Sequence, residues 1–171
     1  DSTERGERER RELRKRRLRA ALERLARAIQ AAPNEVEARY RRASLLFDMD
    51  EFALATADLE AARRIDPHSD WAERIEFRLA FAYTKLGRFE EALTAYDEHL
   101  RLAMSPAERA LGYGNAAELL MNLDRIAESI ESYRLSLRED PSFVLSEWGL
   151  AVALERDDRL AESRESVRRA I

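Results

Sequence analysis

The feature that most constrains this chain is an internal repeat with a spacing of 34 to 37 residues. In each repeat a small residue is followed, four positions later, by a larger apolar residue. The small residues are Ala21, Ala55, Ala92, Ser129 and Ser163, and the larger ones are Leu25, Leu59, Tyr96, Tyr133 and Val167. This period predicts stacked supersecondary units, because a single unit of that size cannot bury its apolar face alone.

One repeat unit, residues 34–67, shows what the stacked element is made of. Its apolar pattern predicts two amphipathic helices, Glu35–Asp48 and Glu51–Ile65. Pro67 closes the unit, because proline cannot continue a helix. The unit is therefore a helical hairpin, and we expect no strands in the chain.

Turn residues and helix starts set the register of the hairpins. The turn between paired helices holds Gly or Asp, which tolerate the backbone that such a turn requires; these residues are Asp50, Gly87, Asp124 and Asp158. Three first helices are each predicted to start at a capping residue with an acid three positions later: Asn34 with Glu37, Asp70 with Glu73, and Ser105 with Glu108. The extra residues near 68–70 and 105–107 are interpreted as longer first helices.

The hairpin pattern resembles the tetratricopeptide repeat family from about Leu18 to Ile171. The residues that carry the resemblance are Ala43, Leu46, Ala55, Leu59, Ala62 and Pro67 in the first full unit; Leu79, Ala80, Tyr83, Gly87, Ala92 and Tyr96 in the second; Tyr113, Ala117, Leu120, Ser129, Tyr133, Ser136 and Pro141 in the third; and Leu150, Ala151, Leu154, Ser163, Val167 and Ala170 in the fourth. The departures are Arg39 and Arg42 at the family's Trp and Leu places, His99 at a small-residue place, and Met104 at the closing proline.

The resemblance implies an all-α fold, namely a right-handed α-solenoid of about nine helices. We expect one continuous array after a charged helical extension at residues 1–17. Residues 18–33 are predicted to form a half-repeat that caps the array, and residues 34–67, 70–104, 106–141 and 142–171 the repeats.

Composition excludes several classes of protein. The chain has no cysteine, so neither a disulfide framework nor thiolate chemistry is expected. No apolar run approaches the roughly 18 residues of a spanning helix, and no signal segment is present. The chain begins at Asp1 without a methionine, so both a mature product and an excised fragment are open. Lysine occurs only at Lys15 and Lys85, which favours a GC-rich bacterial source, with the cytoplasm preferred to the periplasm.

Charge is unevenly distributed along the chain. Residues 1–32 hold 11 basic and 6 acidic residues, a net charge of +5, so the remaining 139 residues carry −9 of the total of −4. An arginine-rich start of this kind is one way to contact nucleic acid or an acidic membrane surface. The alternative is a solvated helix leading into the first repeat. We prefer it, because acids are interleaved and no aromatic is available for base stacking.

No set of residues assembles a catalytic, metal or cofactor site, and we expect none of these. The two histidines, His68 and His99, are too far apart in the pattern to be a helical ligand pair. Gly112 and Gly114 lie within a predicted helix, where they permit close helix contact rather than phosphate binding. His99 is interpreted as a buried polar residue with a local hydrogen bond, with pH sensing as the alternative.

The resemblance further implies that the first helix of each hairpin lines a concave groove. The predicted groove residues are Tyr40, Ser44, Phe47, Phe77, Phe81, Lys85, Glu118, Met121, Asn122, Trp148 and Arg156. The family's chaperone-tail binders hold a carboxylate with Lys, Asn and Arg at such places, and that clamp is absent here. The aromatic residues and Met121 instead suit an apolar peptide or an amphipathic helix. The alternative for Phe77, Phe81 and Trp148 is packing between neighbouring first helices.

The C-terminal edge carries an apolar set with no further repeat to cover it: Leu154, Leu160, Val167 and Ile171. Such residues are predicted to contact a further helix or a second copy of the chain. We therefore expect a non-enzymatic scaffold or adaptor that binds a protein segment in its groove within a larger assembly. The alternatives are a self-associating scaffold that stacks through this edge and nucleic-acid contact through the first helix, the latter disfavoured by the acidic remainder of the chain.

Overall fold

The computed structural model of the chain describes residues 2–170, except for the side chains of residues 2–5, 11, 160, 161, 166, 169 and 170. Within this range it contains nine helices and no strand. They are α1 (Ser2–Ala31), α2 (Val36–Phe47), α3 (Phe52–Ile65), α4 (Ala72–Lys85), α5 (Phe89–Leu102), α6 (Pro106–Asn122), α7 (Ile126–Glu139), α8 (Val144–Arg156) and α9 (Leu160–Ala170). The all-α prediction of about nine helices is confirmed.

The chain divides into two compact units, residues 1–75 and 76–171, and the division falls inside α4. Unit 1 contains α1 to α3 and the start of α4, and unit 2 contains the rest. Helix α1 continues without a break through residues 17 and 18, where the charged extension is predicted to join the half-repeat. The part of α1 before Leu18 is mostly exposed, and Ile29 near its end is buried.

An ion pair joins α2 to α3 in unit 1, at the places where the family pattern has apolar residues. Arg42 donates two hydrogen bonds of 2.6 Å to the Asp58 carboxylate, and Arg39 lies 3.8 Å from the same group. The hydrogen bond to Asp58 is the largest cause of the raised pKa of Arg42. Asp58 itself is buried. The two arginines therefore replace apolar contacts with a charged, geometrically directed one.

The small residues of the repeat pattern lie inside the helix contacts. Within α4 to α9 these residues are almost fully buried: Ala80, Ala92, Ala117, Ser129, Ala151 and Ser163. The two serines are small enough for these positions and also form hydrogen bonds. The Ser129 hydroxyl donates to the Ala117 carbonyl at 2.9 Å, and Ser163 donates to Glu155 Oε1 at 3.1 Å. Hydroxyl groups at these places thus keep their hydrogen bonds while the helices stay close.

All four predicted turn residues adopt the left-handed backbone. Their φ angles are 59° at Asp50, 74° at Gly87, 62° at Asp124 and 58° at Asp158. Glycine and, less readily, Asp tolerate this region, which other residues with a side chain avoid. The interpretation of these positions as equivalent hairpin turns is confirmed.

Of the three predicted helix starts, one is confirmed. Ser105 and Glu108 form a reciprocal capping box on α6, with Glu108 N donating to Ser105 Oγ at 3.2 Å and Ser105 N to Glu108 Oε2 at 2.9 Å. The pKa of Glu108 is lowered from its usual value, mainly by the hydrogen bond with the Ser105 backbone and next by the one with the Ser105 side chain. Helix α6 is also the longest of the helices from α2 onward, as predicted for the extra residues near 105–107.

The other two helix starts were predicted wrongly, because local turns delay the helices. Helix α2 has Glu35 rather than Asn34 as its N-cap, without a side-chain capping bond, and the Glu35 amide donates to Ala32 O at 3.1 Å in the preceding turn. Helix α4 begins at Ala72, whose amide donates to Ser69 O at 2.9 Å. Residues 68–71 therefore form a turn rather than a longer first helix.

His99 occupies its small-residue place because the facing residue of α6 is a glycine. Its ring is 1% exposed, Nε2 lies 3.1 Å from Glu108 O, and Phe77 contacts the ring at a centroid distance of 5.0 Å. A Cβ at Gly112 would lie only 2.6 Å from His99 Cδ2. The predicted local hydrogen bond is present, and the departure from the pattern is compensated across the helix pair.

Candidate functional site

The groove residues predicted in unit 1 are half-buried and make contacts inside that unit. The Tyr40 ring lies 4.7 Å from Trp71, and the Phe47 ring lies 5.5 Å from Phe52 in an edge-on arrangement. The Ser44 hydroxyl donates to the Tyr40 carbonyl at 3.0 Å. These side chains therefore support the local packing of α2 and offer a ligand only part of their surface.

The predicted groove residues of α4 that belong to unit 2 separate into an inner and an outer set. Phe77 packs inward, with its ring centroid 6.2 Å from Tyr96 and 5.0 Å from His99. Phe81 is exposed, and Lys85 Nζ lies 5.0 Å from its ring centroid. Phe77 therefore packs against the second helix α5 rather than between neighbouring first helices, whereas Phe81 is on the surface.

Helix α6 presents a mainly polar face to solvent. Leu111, Asn115, Glu118 and Asn122 follow one another at spacings of four, three and four residues, and each is exposed or half-buried. Met121, three residues after Glu118, borders this face and packs against the hydrophobic core formed by α6, α7 and α8. Leu111 and Asn115 were missed by the sequence analysis, although their spacing from Glu118 could have identified them.

Helix α8 presents an apolar strip. Leu145, Trp148 and Val152 are 72%, 45% and 45% exposed, and their spacing of three and four residues puts them on one side of the helix. Trp148 is therefore a surface residue rather than a core residue. Leu145 was missed because the predicted groove was built from the later turns of each first helix.

Arg156, at the end of α8, is already engaged. Its guanidinium donates to the Met121 carbonyl at 2.9 Å and to Asp124 Oδ1 at 2.8 Å. It thus ties the end of α8 to the turn between α6 and α7. Asn122 remains exposed beside that turn.

A cleft of about 80 Å³ lies between α6 and α8. It is lined by Leu111, Gly114, Asn115, Glu118, Tyr133, Phe143, Leu145 and Ser146. Two glycines leave room for close contacts here, Gly114 of α6 against the start of α8 and Gly149 of α8 against Tyr133 of α7. A Cβ at Gly114 would lie 2.9 Å from Ser146 Oγ, and a Cβ at Gly149 would lie 2.6 Å from Tyr133 Oη and closer still to the ring carbons. Tyr133 belongs to α7 and reaches between the two first helices to line the cleft.

Glu118 sets the electrostatics of this cleft. Burial, followed by the negative charge of Glu118, raises the pKa of Tyr133 to about 12. The same two causes, in the same order, raise the pKa of Tyr96, while a hydrogen bond to Thr84 opposes them. One exposed carboxylate therefore acts on buried phenols from two successive second helices, and both phenols stay neutral at physiological pH.

We name a set of seven exposed or half-buried side chains on the three first helices of unit 2 the first-helix face. It consists of Phe81 on α4, Leu111, Asn115 and Glu118 on α6, and Leu145, Trp148 and Val152 on α8. Phe81, Glu118 and Val152 hold equivalent places in three successive repeats. Five of these seven side chains are apolar, Asn115 is polar, and Glu118 is the one charged member of the set.

The C-terminal edge differs from the sequence-based prediction at Leu154. This side chain is 1% exposed and belongs to the core cluster with Ile130 and Tyr133, because α7 packs over it. Val167 is half-buried. The side chain of Leu160 and the whole of Ile171 lie outside the described residues.

The described residues contain neither a metal-binding group nor a membrane-spanning helix. No group of three or more His, Asp or Glu side chains in this part of the chain is placed to hold a metal ion. None of the helices within residues 2–170 combines the length and the apolar character needed to cross a membrane.

Comparison with known proteins identifies the repeats. The profile of the family described as tetratricopeptide repeat matches residues 10–70, 77–142 and 115–171. No curated protein matches the chain. The crystal structure of MamA aligns with a TM-score of 0.83 and 18% identity over 94% of this chain and 90% of its own.

Two further structures, from named organisms, show the same likeness. A MamA structure from Desulfovibrio magneticus RS-1, residue 41 to the end, aligns at a TM-score of 0.80 and 18% identity over 94% of this chain and 88% of its own. A tetratricopeptide repeat protein from Parabacteroides merdae ATCC 43184 aligns at 0.72 and 17% identity over 78% of this chain and 51% of its own. At these identities the likeness is one of fold, and the predicted fold of helical hairpins is confirmed.

Proposed function

Because the chain belongs to the tetratricopeptide repeat family, we propose that it is a non-enzymatic scaffold that binds a protein segment on the first-helix face. Proteins of this family generally act as scaffolds for protein interactions rather than as catalysts. The proposal concerns unit 2, where exposed apolar side chains project from the first helices. Self-association and nucleic-acid contact remain predictions.

The observation that carries the proposal is the apolar strip Leu145, Trp148 and Val152 on α8. Single exposed apolar residues are ordinary, but three on one helix face, beside a cleft, form a contiguous surface. The strip extends from Leu145 to Val152, which is about 10 Å along the helix axis at about 1.5 Å per residue. That length matches the apolar face of about two turns of an amphipathic helix or a short extended peptide.

The size of the strip is sufficient for a specific contact. A ligand that covers about 200 Å² of apolar surface gains about 5 kcal/mol before the entropy costs of association. Exposed tryptophan is a frequent anchor of protein interfaces. We expect Trp148 to contribute the largest share, with Leu145 and Val152 excluding water from its rim.

The test is selection of peptides from a randomised library displayed on phage, using the full chain as bait. We expect Trp148→Glu to weaken the selected peptides at least tenfold by fluorescence polarisation, with circular dichroism unchanged because the side chain is on the surface. Met104→Glu is the matched control, since Met104 is exposed and lies outside the first-helix face. An equal loss of peptide affinity in both variants, or no loss of affinity in Trp148→Glu, would contradict the proposal.

A further inference from the structure

Within the described part of the chain, the carboxylate of Glu118 has no partner of opposite charge, unlike most acids of unit 2. Side chains of Arg88, Arg125, Arg109 and Arg159 pair with the acids on their own or neighbouring helices, at distances such as 2.7 Å from Arg88 Nε to Glu91 Oε2. Among the residues that the structure describes, Glu118 makes neither a hydrogen bond nor an ion pair. It is thus a free acceptor on the face proposed to bind a ligand.

From this arrangement we propose that the segment bound by the first-helix face places a Lys or Arg side chain against Glu118 and covers the α8 strip with apolar residues. The inference rests on the proposed function and names the chemistry of its ligand. The charges are the reverse of those in the family's clamp, where basic side chains of the repeat protein hold a carboxylate of the ligand.

The surroundings of Glu118 favour a cation over any other ligand group. Of the eight side chains and glycines that line the cleft, Glu118 alone is charged. Leu111, Phe143 and Leu145 make part of the lining apolar, and a charge beside low-dielectric walls exerts a stronger field than one in open solvent. After burial, the negative charge of Glu118 is the largest cause of the raised pKa of both Tyr133 and Tyr96.

Among the described residues, two exposed bases on the same first helices are engaged by groups other than Glu118. Arg156 is bound to Asp124 and the Met121 carbonyl, and the Lys85 ammonium lies over the Phe81 ring. Residues 76–171 as a whole hold 18 acidic and 13 basic residues, so their net charge is −5. A basic ligand is therefore favoured both locally at Glu118 and by the overall charge of the unit.

The positions around Glu118 also specify where the apolar residues of the ligand lie. Phe81 and Val152 occupy the equivalent places in the repeats before and after Glu118, so the order across the face is apolar, acidic, apolar. A matching segment carries one basic residue flanked on its contact side by apolar residues. The long aliphatic stems of Lys and Arg suit this arrangement, because they pack on apolar surface while the charge reaches the carboxylate.

The experiment compares selections from the phage library with three baits: the wild-type chain, Glu118→Lys, and Glu90→Lys. Glu90 lies on α5, a second helix, so its substitution changes the net charge equally without touching the cleft. We expect wild type and Glu90→Lys to enrich Lys or Arg between apolar residues, and Glu118→Lys to enrich Asp or Glu at that position. A selected peptide is then synthesised with Lys, norleucine or Glu there. Wild type should prefer Lys to norleucine by about fivefold, a preference that 1 M salt weakens.

A milder variant guards against misfolding. Glu118→Gln keeps the shape of the side chain and should abolish the preference for Lys while leaving norleucine binding unchanged. Selection of apolar peptides that depend on Trp148 but show no preference for a base would refute the cation inference and leave the proposed function standing. A preference for a base that survives in Glu118→Gln would refute it as well. Failure of wild type to enrich any peptide would refute both.

Discussion

Replacing Gly149 by alanine tests the packing on which the cleft depends. A Cβ at this position would lie 2.6 Å from Tyr133 Oη, whereas ordinary van der Waals contact begins near 3.4 Å, so the overlap is at least 0.8 Å. The ring is buried and cannot simply swing into solvent. Overpacking of this kind costs about 1 to 3 kcal/mol. The same substitution at an unhindered helix position would stabilise the protein by about 0.4 to 1 kcal/mol.

The clash is the larger effect, so we expect Gly149→Ala to lower the free energy of unfolding by about 1 to 2 kcal/mol. Urea denaturation followed by tryptophan fluorescence measures it, because Trp148 is the adjacent residue. Gly6→Ala is the matched control, since nothing lies within 4 Å of a Cβ there. Tyr133→Leu in the same chain should remove most of the cost of Gly149→Ala, giving a coupling energy in a double-mutant cycle. A stabilised Gly149→Ala, or strictly additive costs, would refute the assignment of the clash to Tyr133.

Three further predictions concern the repeat contacts, the capping box and the charge at the cleft. Ala92→Leu fills a fully buried close contact and should cost about 1 to 3 kcal/mol in a thermal or urea melt. Ser105→Ala should lower the free energy of unfolding by about 0.5 to 2 kcal/mol. Because folding lowers the pKa of Glu108 from 4.5, the stabilisation from this carboxylate is present above pH 4.5 and is lost as the pH falls through the folded pKa. The difference in stability between wild type and Ser105→Ala should therefore shrink at acid pH. Glu118→Gln should lower the pKa of Tyr133 from about 12, as measured by ultraviolet titration against a Tyr133→Phe reference; an unchanged value would show that burial alone sets it.

Much of the fold could be predicted because the repeat imposes the same local requirement several times. The left-handed turn that follows each first helix selects Gly or Asp, so Asp50, Gly87, Asp124 and Asp158 identify it from sequence alone. The close helix contacts likewise select small residues. By contrast, the starts of α2 and α4 depend on turns such as the bond from Glu35 N to Ala32 O, which no capping pattern reveals.

The candidate site could be predicted only in part, because spacing identifies a helix face but not which face a neighbouring helix covers. Phe81 and Trp148 are exposed, while Phe77 and Met121, chosen by the same rule, turn towards the core. Leu154 was placed at an open edge and lies instead beneath α7. In each of these cases, exposure or burial of the side chain depends on how its helix is rotated about its axis. That rotation is set by the packing of the neighbouring helices, which spacing in the sequence does not give.

Tyr133 belongs to α7, a second helix, yet it is one of the residues that line the cleft between the first helices α6 and α8. Recognition at the front can therefore be altered by substitutions in α7 that leave every exposed residue of α6 and α8 unchanged. Gly149 makes this possible by leaving room for the ring, so the two positions should vary together. A repeat in which a smaller residue replaces the tyrosine could accept a larger residue in place of the glycine, and it would present a different cleft behind the same outer surface.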